Sequence, residues 1–344
     1  MVLKQNVGID VSMDSFDVNI TVLDDNFDKH CKGTRKFTND FKGFTQLLTW
    51  TERHRNHDVE LSFTMEFTGV YYEQLAYYLK THKQTVYMVI PSKAKKYIES
   101  LSKASKTDKL DAQSLAWMGL ERKLKPWNPL SLMFINLRTL TREREELIKE
   151  KTVVKNRLHA ATKKAVGQVR TIKRYKSRLQ MILDHMEEIE AEIKELIKED
   201  DVIHDKFKNV TSIPGVALIT AATIIAETNG FSSICSIKQL TSYAGFDVKI
   251  KESGKYVGKS KISKQGNSHI RRVLHFPAQT AIVYNKPLSI FYERVNAKKI
   301  KPMIAGVAVQ RKLLSLIYTL WKNNTVFDPN YEFNNRIKTS KNVG

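Results

Sequence analysis

Two short apolar runs near the start of the chain each end in an acid. Val7-Gly8-Ile9 leads into Asp10, and Leu61-Ser62-Phe63-Thr64-Met65 leads into Glu66. Runs of this length and composition read as strands, so both carboxylates sit at strand ends. Asp108 and Asp111 follow in Lys106-Thr107-Asp108-Lys109-Leu110-Asp111-Ala112. Their spacing of three puts them on one face of a helix. Acids delivered to element edges from three distant parts of the chain constrain the fold to a sheet with helices packed on it. Taken singly each has an ordinary reading. Asp14, Asp17 and Asp24 read as turn or solvated residues, and Asp108 as a helix cap.

The pattern around these acids is alternating. Residues 6–24 read as a β-hairpin turning at Ser12-Met13-Asp14-Ser15, with Phe16, Val18, Ile20 and Val22 alternating afterwards. Residues 40–55 read as a helix with Phe41, Phe44, Leu47 and Leu48 on one face. A strand over 59–66, a helix over 70–82, a strand over 85–90 stopped by Pro91, and a helix over 107–122 complete an α/β domain, 1–125. Its boundary falls at Pro126-Trp127-Asn128-Pro129.

Residues 130–200, within a second section 126–205, carry no strand signal. Leu140, Leu147, Val154 and Ala161 recur every seven residues, and Leu179, Ile182, Met186, Ile189, Ile193 and Leu196 alternate by threes and fours. That is the seam of a coiled coil, so the section reads as a helical spacer, broken at Gly167 into a hairpin or forming an assembly seam. Ten Lys or Arg and no acid fall between 151 and 180, while acids dominate 181–205. A solvated helix face is the ordinary explanation. The missing counter-charge favours a nucleic-acid backbone met by Arg157, Lys163, Lys164, Arg170, Lys173 and Arg174.

A third section, 206–325, is mostly helical. Ile213-Pro214-Gly215-Val216 before the apolar stretch 218–227 resembles a helix-hairpin-helix turn, whose backbone N–H groups can hold a phosphate. A plain helix start fits as well. Helices are expected over 238–246 and 268–284. The stretch 249–272 between and into them holds eight Lys or Arg against one acid, Glu252. Residues 326–344 read as a disordered tail.

Composition narrows the partner. The formal charge is +21, and 42% of residues are hydrophobic. Excess of this size points to a polyanion, through counterion release from phosphates, or to an anionic membrane surface. No run of about 20 apolar residues is evident, so no span of a bilayer is expected. Two distant cysteines, Cys31 and Cys235, support neither a disulfide framework nor a zinc site. With no signal-peptide pattern at Met1-Val2-Leu3-Lys4-Gln5, the expected location is cytoplasmic, with the nucleoid.

For a phosphodiester substrate the acids have a definite use. A hard divalent cation takes oxygen ligands, and a pair of such ions clamps the attacking and leaving oxygens. Asp10, Glu66, Asp108 and Asp111 are the expected metal ligands, with Mg²⁺, or Mn²⁺ in its place, as the ion.

Several stretches together resemble a known family. They are Gly8-Ile9-Asp10-Val11-Ser12, Met65-Glu66-Phe67-Thr68-Gly69-Val70-Tyr71 and the Lys-Thr-Asp stretch at 106–112. In the second half they are Ile213-Pro214-Gly215 through Ala226-Glu227, Leu240-Thr241-Ser242-Tyr243-Ala244-Gly245, Ser253-Gly254-Lys255, Ile262-Ser263-Lys264-Gln265-Gly266-Asn267 and Arg271-Arg272. Over residues 5–285 the chain resembles the insertion-sequence transposases and DNA invertases of the Piv/MooV type. These are bridge-RNA-guided serine recombinases with an RNase H-like (RuvC-like) DEDD domain and a C-terminal transposase domain.

The resemblance implies that Asp10, Glu66, Asp108 and Asp111 are the metal-binding tetrad and Ser253 the nucleophile. Many relatives carry two serines before the glycine; Glu252-Ser253-Gly254 leaves one, with Ser260 and Ser263 as fallbacks. An isolated Ser-Gly is an ordinary turn pair. Serine needs activation by a base or a metal. His269 and His275 are the nearest histidines, and the resemblance favours the metal. Lys255, Lys259, Lys261, Lys264, Arg271 and Arg272 would neutralise strand phosphates. Tyr71, Tyr72, Tyr97 and Tyr243 would stack on bases or pack in the core.

The expected activity is DNA cleavage and rejoining through a phosphoserine link, with DNA and a guide RNA as partners. Alternatives are an invertase that reads its sites directly, a metal-dependent junction nuclease using water, and a non-enzymatic scaffold. Strand exchange needs paired sites, and the pattern at 179–196 supports a homodimer, with a tetramer on synapsed DNA.

Overall fold

The structure, a computed structural model, describes residues 1–67, 69–101, 107–129, 131–249, 261–297 and 301–330, and the backbone of 252–253 and 256–257. The chain divides into two compact units, Met1–Pro129 and Leu130–Gly344.

The first unit runs β1 (Val2–Val11), β2 (Ser15–Asp24), β3 (Lys29–Thr38), α1 (Phe41–His54), β4 (Leu61–Glu66), α2 (Glu73–Thr81), β5 (Thr85–Val89), α3 (Pro91–Ser100) and α4 (Asp108–Glu121). The sheet order is β3-β2-β1-β4-β5. β1, β2 and β3 pair antiparallel, while β4 pairs parallel to β1 and β5 parallel to β4. This is the expected mixed sheet with helices. Its core joins Val7, Ile9, Phe16, Phe44, Phe63 and Leu75 from both. The strand β3 goes beyond the expected hairpin: as an edge strand it buries only Phe37, so it shows no alternation. Pro91 starts α3 rather than merely stopping a strand, since the first helical turn has no use for its missing N–H.

α4 lies directly on β1. A Cβ at Gly8 would stand 2.0 Å from Ala112 O and 2.2 Å from Ala116 N, and one at Gly119 would stand 2.4 Å from the Asn6 side chain. Gly8 therefore lets strand and helix meet backbone to backbone, and Gly119 leaves room for the Asn6 side chain.

The second unit begins with α5 (Leu132–Thr162), α6 (Val169–Lys198), α7 (Asp201–Thr211), α8 (Leu218–Glu227) and α9 (Ile237–Tyr243). An arm of two-residue strands follows: β6 (Val248–Lys249), β7 (Glu252–Ser253), β8 (Tyr256–Val257) and β9 (Lys261–Ile262). Then come α10 (Ser268–Val273), α11 (His275–Tyr284), α12 (Lys286–Asn296) and α13 (Pro302–Asn323).

α5 and α6 form the hairpin that Gly167 suggested. Its apolar seam closes within the chain: Val154 packs with Ile182 and Met186, while Leu137, Leu140, Ile189 and Ile193 join one core with Phe207, Ile224 and Leu313. The heptad pattern is thus satisfied by an intrachain partner, which removes the argument for a dimer drawn from it. The section expected as a spacer shares its core with the helices after it.

The turn 213–217 links α7 to α8 and packs on α11, where a Cβ on Gly215 would lie 2.8 Å from Pro277 O. Among the described residues, α13 is one helix long and apolar enough to cross a membrane by length and composition, against the expectation that no such stretch exists. It runs through the core of the second unit, burying Ala305, Val309, Leu313, Leu314, Ile317, Leu320 and Trp321. Residues 331–344 of the expected tail lie outside the described residues.

Candidate active site

The four acids of the first unit share one neighbourhood. β1 and β4 run parallel with Ile9 beside Met65, so Asp10 and Glu66 occupy the next step on adjacent strands. The contact of Ala112 with Gly8 brings Asp111 over the same strand end. Asp108 starts α4, but the cap is Thr107, whose Oγ1 accepts from Leu110 N at 3.3 Å. The capping role is therefore filled without Asp108, which stays exposed.

The electrostatics carry the signature of that gathering. Burial, then the charges of Asp111, Asp108, Glu66 and Asp17, push the Asp10 carboxyl up from 3.8 to about 6. Lys36 Nζ stands 3.3 Å from Asp17 and answers that acid. Among the described residues, no three His, Cys, Asp or Glu side chains close to ligation distance. The four carboxylates are near enough for their charges to act on one another.

Ser253 lies in the arm of the second unit. Its backbone pairs with Tyr256 in the β7–β8 hairpin, and Glu252 pairs with Val257. Its side chain, together with Lys255, Lys259 and Ser260, lies outside the described residues. The foot of the arm is well defined. Ser263 Oγ donates to Asp247 Oδ1 at 2.5 Å, and Ser263 N to Asp247 O at 2.7 Å. Lys264 N donates to Gly245 O at 3.1 Å. Gly266 must be glycine here, because a Cβ would come within 2.4 Å of Tyr243 O.

The motif residues around this foot converge on an acid that sequence reasoning leaves without a role. Glu227 ends the apolar helix α8 with its side chain 1% exposed. Arg142 grips it twice, Nε to Oε1 at 2.7 Å and Nη2 to Oε2 at 3.1 Å. Asn267 Nδ2 donates to Oε2 at 2.6 Å, and Tyr243 OH to the Glu227 carbonyl at 2.7 Å. Burial alone would push this carboxyl up, but the hydrogen bonds and charge of Arg142, then Asn267, outweigh it and hold it below the usual range. A lone charge closing an otherwise apolar helix was the signal available in the sequence.

The basic residues divide. Arg157, Lys163, Lys164, Arg170, Lys173 and Arg174 are exposed around the turn of the α5–α6 hairpin. Lys261 and Lys264 are exposed beside the arm. Arg271 and Arg272 have partners within the chain. Arg271 Nη1 donates to Ala244 O at 2.7 Å and Asn267 O at 3.1 Å, and Arg272 pairs with Glu145. His269 is engaged by the same Glu145, Nδ1 to Oε2 at 2.6 Å, and burial lowers its pKa. Of the tyrosines, Tyr97 donates to Glu121 at 2.7 Å and Tyr243 to Glu227, while Tyr71 is exposed. The first unit carries 19 Lys and Arg against 16 Asp and Glu, the second 38 against 20. Eighteen of the 21 excess charges thus belong to the second unit.

Residues 7–166 match a DEDD transposase family model, and residues 207–293 match the model of the IS116/IS110/IS902 transposase family. The pilin gene-inverting proteins of Moraxella bovis and Moraxella lacunata are each 30% identical over 332 residues, 94% of this chain and 98% of theirs. The insertion element IS110 protein of Streptomyces coelicolor is 23% identical over 152 residues, 44% of this chain and 36% of that one. Among solved structures, Thermus thermophilus RuvC bound to a Holliday junction substrate is 13% identical and covers 36% of this chain and 99% of its own, at a TM-score of 0.26. A likeness that distant carries no argument. The near full-length match to the inverting proteins does, and with the two family models it shows that this chain belongs to the IS110-type transposase family.

Proposed function

We propose that this chain is a site-specific DNA recombinase that cuts and rejoins DNA through a transient phosphoserine at Ser253, with a divalent metal held by Asp10, Glu66, Asp108 and Asp111. The observation that carries the reading is the meeting of Asp10 and Glu66 on adjacent strand ends with the start of α4, where burial and then the charges of Asp111, Asp108 and Glu66 push Asp10 up to about 6, in a chain of this family. We read the first unit as an RNase H-like, RuvC-like domain. The sheet order β3-β2-β1-β4-β5 supports this, with the acids on β1, β4 and the helix packed on them.

The donor set fits a hard cation. It is all carboxylate oxygen, and its mutual repulsion is what a divalent charge relieves. When bound, Mg²⁺ or Mn²⁺ would supply charge stabilisation at the phosphate and favour the serine alkoxide.

The chain's own residues do the rest. Ser253 Oγ attacks the phosphorus, and its proton ends on the departing oxygen. The P–O bond to the departing strand breaks, and that oxygen leaves as a free hydroxyl. A hydroxyl from another strand then attacks the phosphoserine and restores Oγ, so joining needs no external energy source. The basic second unit holds the DNA, and a guide RNA would pair with it to choose the site. Exchange needs two such sites, hence a dimer and a tetramer on synapsed DNA, acting in the cytoplasm at the nucleoid.

A second reading, an invertase that reads DNA directly, is favoured by the pilin gene-inverting relatives. Sequencing the nucleic acid that copurifies with the protein expressed with its flanking DNA separates the two: one protected RNA supports guidance, heterogeneous RNA the direct reader. The chemistry is tested with labelled DNA and Mg²⁺ on a denaturing gel. Wild type is expected to give a covalent adduct, while Ser253→Ala and Asp10→Ala bind DNA and give none. Strand breaks persisting in Ser253→Ala would establish water as the nucleophile and a junction nuclease instead.

A further inference from the structure

An open groove of about 630 Å³ lies at the foot of the arm, between α9, α13 and the start of β6. That is within the range of ligand clefts, about 300–1,000 Å³. Its wall is chemically mixed. Ile237 and Val248 present aliphatic surface, 45% and 49% exposed. Lys238 and Arg311 bring two positive charges from different helices, and Ser242 adds a hydroxyl. Among the described residues, neither cation has a salt bridge. The one acid in the lining, Asp247, already accepts the Ser263 hydroxyl.

The charge continues out of the groove. Val248 opens β6, and the next residue, Lys249, lies directly opposite Lys261 on β9. Like charges facing each other across an antiparallel pair are unfavourable, and among the described residues β6 and β9 have one other pair, Val248 with Ile262. An anion between the two lysines turns this repulsion into a binding site. Cations for phosphates beside apolar surface for sugar and base are the parts of a single-strand track.

We propose that the groove and the Lys249–Lys261 pair form a track for the phosphodiester backbone of the DNA strand presented to Ser253. The identity of the strand rests on the reading of Ser253 as nucleophile, since the track leads into the arm that carries it. The existence of the site does not rest on that reading.

The test uses the full chain and a single-stranded oligonucleotide of flanking sequence, in EDTA so that nothing is cut. Affinity is measured from 50 to 300 mM KCl, a range chosen at roughly the scale on which phosphate binding responds. The double variant Lys238→Ala/Arg311→Ala is expected to bind more weakly, with a salt slope lower by about 1.4, or about 0.7 for each phosphate no longer neutralised. Lys249→Glu places an acid opposite Lys261, so it relieves the repulsion while removing the anion site. Its melting temperature should hold or rise while its salt slope falls. An unchanged slope in both variants overturns the track. A fall seen with RNA of the same sequence but not with DNA overturns the assignment to the cut strand. Cleavage plays no part in this measurement, so a failed adduct assay with Ser253 leaves its outcome standing, and the reverse.

Discussion

Arg142 holds Glu227 through both carboxylate oxygens, at 2.7 and 3.1 Å, although the arginine is 45% exposed and the glutamate 1%. One partner is wet and the other dry. The glutamate depends on the arginine far more than the reverse, because only the glutamate has lost its water.

Arg142→Ala should therefore cost about 2–4 kcal/mol in denaturant unfolding, since it strands a buried charge. Glu227→Gln should cost less, because Arg142 can turn to solvent. The pH dependence has a definite sign. The folded carboxyl lies below its ordinary 4.5, so its contribution is whole above that value and is lost as pH falls through the folded value. Wild type should lose its margin over Glu227→Gln below pH 4.5.

Asp10 runs the other way. Its folded value of about 6 exceeds the ordinary 3.8, so the native state holds the proton more tightly and stability falls as pH rises between them. In EDTA, Asp10→Asn should melt above wild type at pH 7 and level with it at pH 3.5. Mg²⁺ should raise the melting temperature of wild type at pH 7 and leave the variant unmoved. A variant less stable than wild type at pH 7 would refute the crowding of charge at Asp10.

Gly8→Ala adds one methyl where two backbone atoms of α4 already stand at 2.0 and 2.2 Å. Neither is the end of a flexible side chain, so α4 must lift. We expect a loss of about 3 kcal/mol or more, with adduct formation lost in any folded fraction. Gly167→Ala, in open space, should be silent on both measurements.

Ile193 is fully buried in the seam of the α5–α6 hairpin, which closes within the chain. Ile193→Ala should cost about 2–5 kcal/mol. Sedimentation should show its oligomeric state unchanged, since the seam it disturbs is internal.

Much of the first unit is legible in the sequence because its strands are buried on both faces or end at acids, and the hairpin of the second is legible because Gly167 marks its turn. β3 is illegible for a physical reason: an edge strand with a polar outer row looks like a loop. Pro91 misleads because the same rigid ring that ends a strand also suits a helix start. The heptads are visible, but a seam does not say whether its partner is another chain or the same one thirty residues on. The four acids can be found from their positions at element ends. Glu227 cannot be given a role that way, because its meaning lies in Arg142 and Asn267, 85 and 40 residues away in sequence.

The contact at Gly8 has a consequence for heat and motion. Side chains hop between rotamers, and a site spaced by side chains inherits that looseness. Here the distance from the end of β1 to the start of α4 is set by two peptide planes in touch, with no rotatable bond between them. The backbones that carry Asp10 and Asp111 can separate only if a whole helix moves against a sheet. Their spacing should stay constant as temperature rises and then fail with the domain itself, at one temperature rather than by degrees.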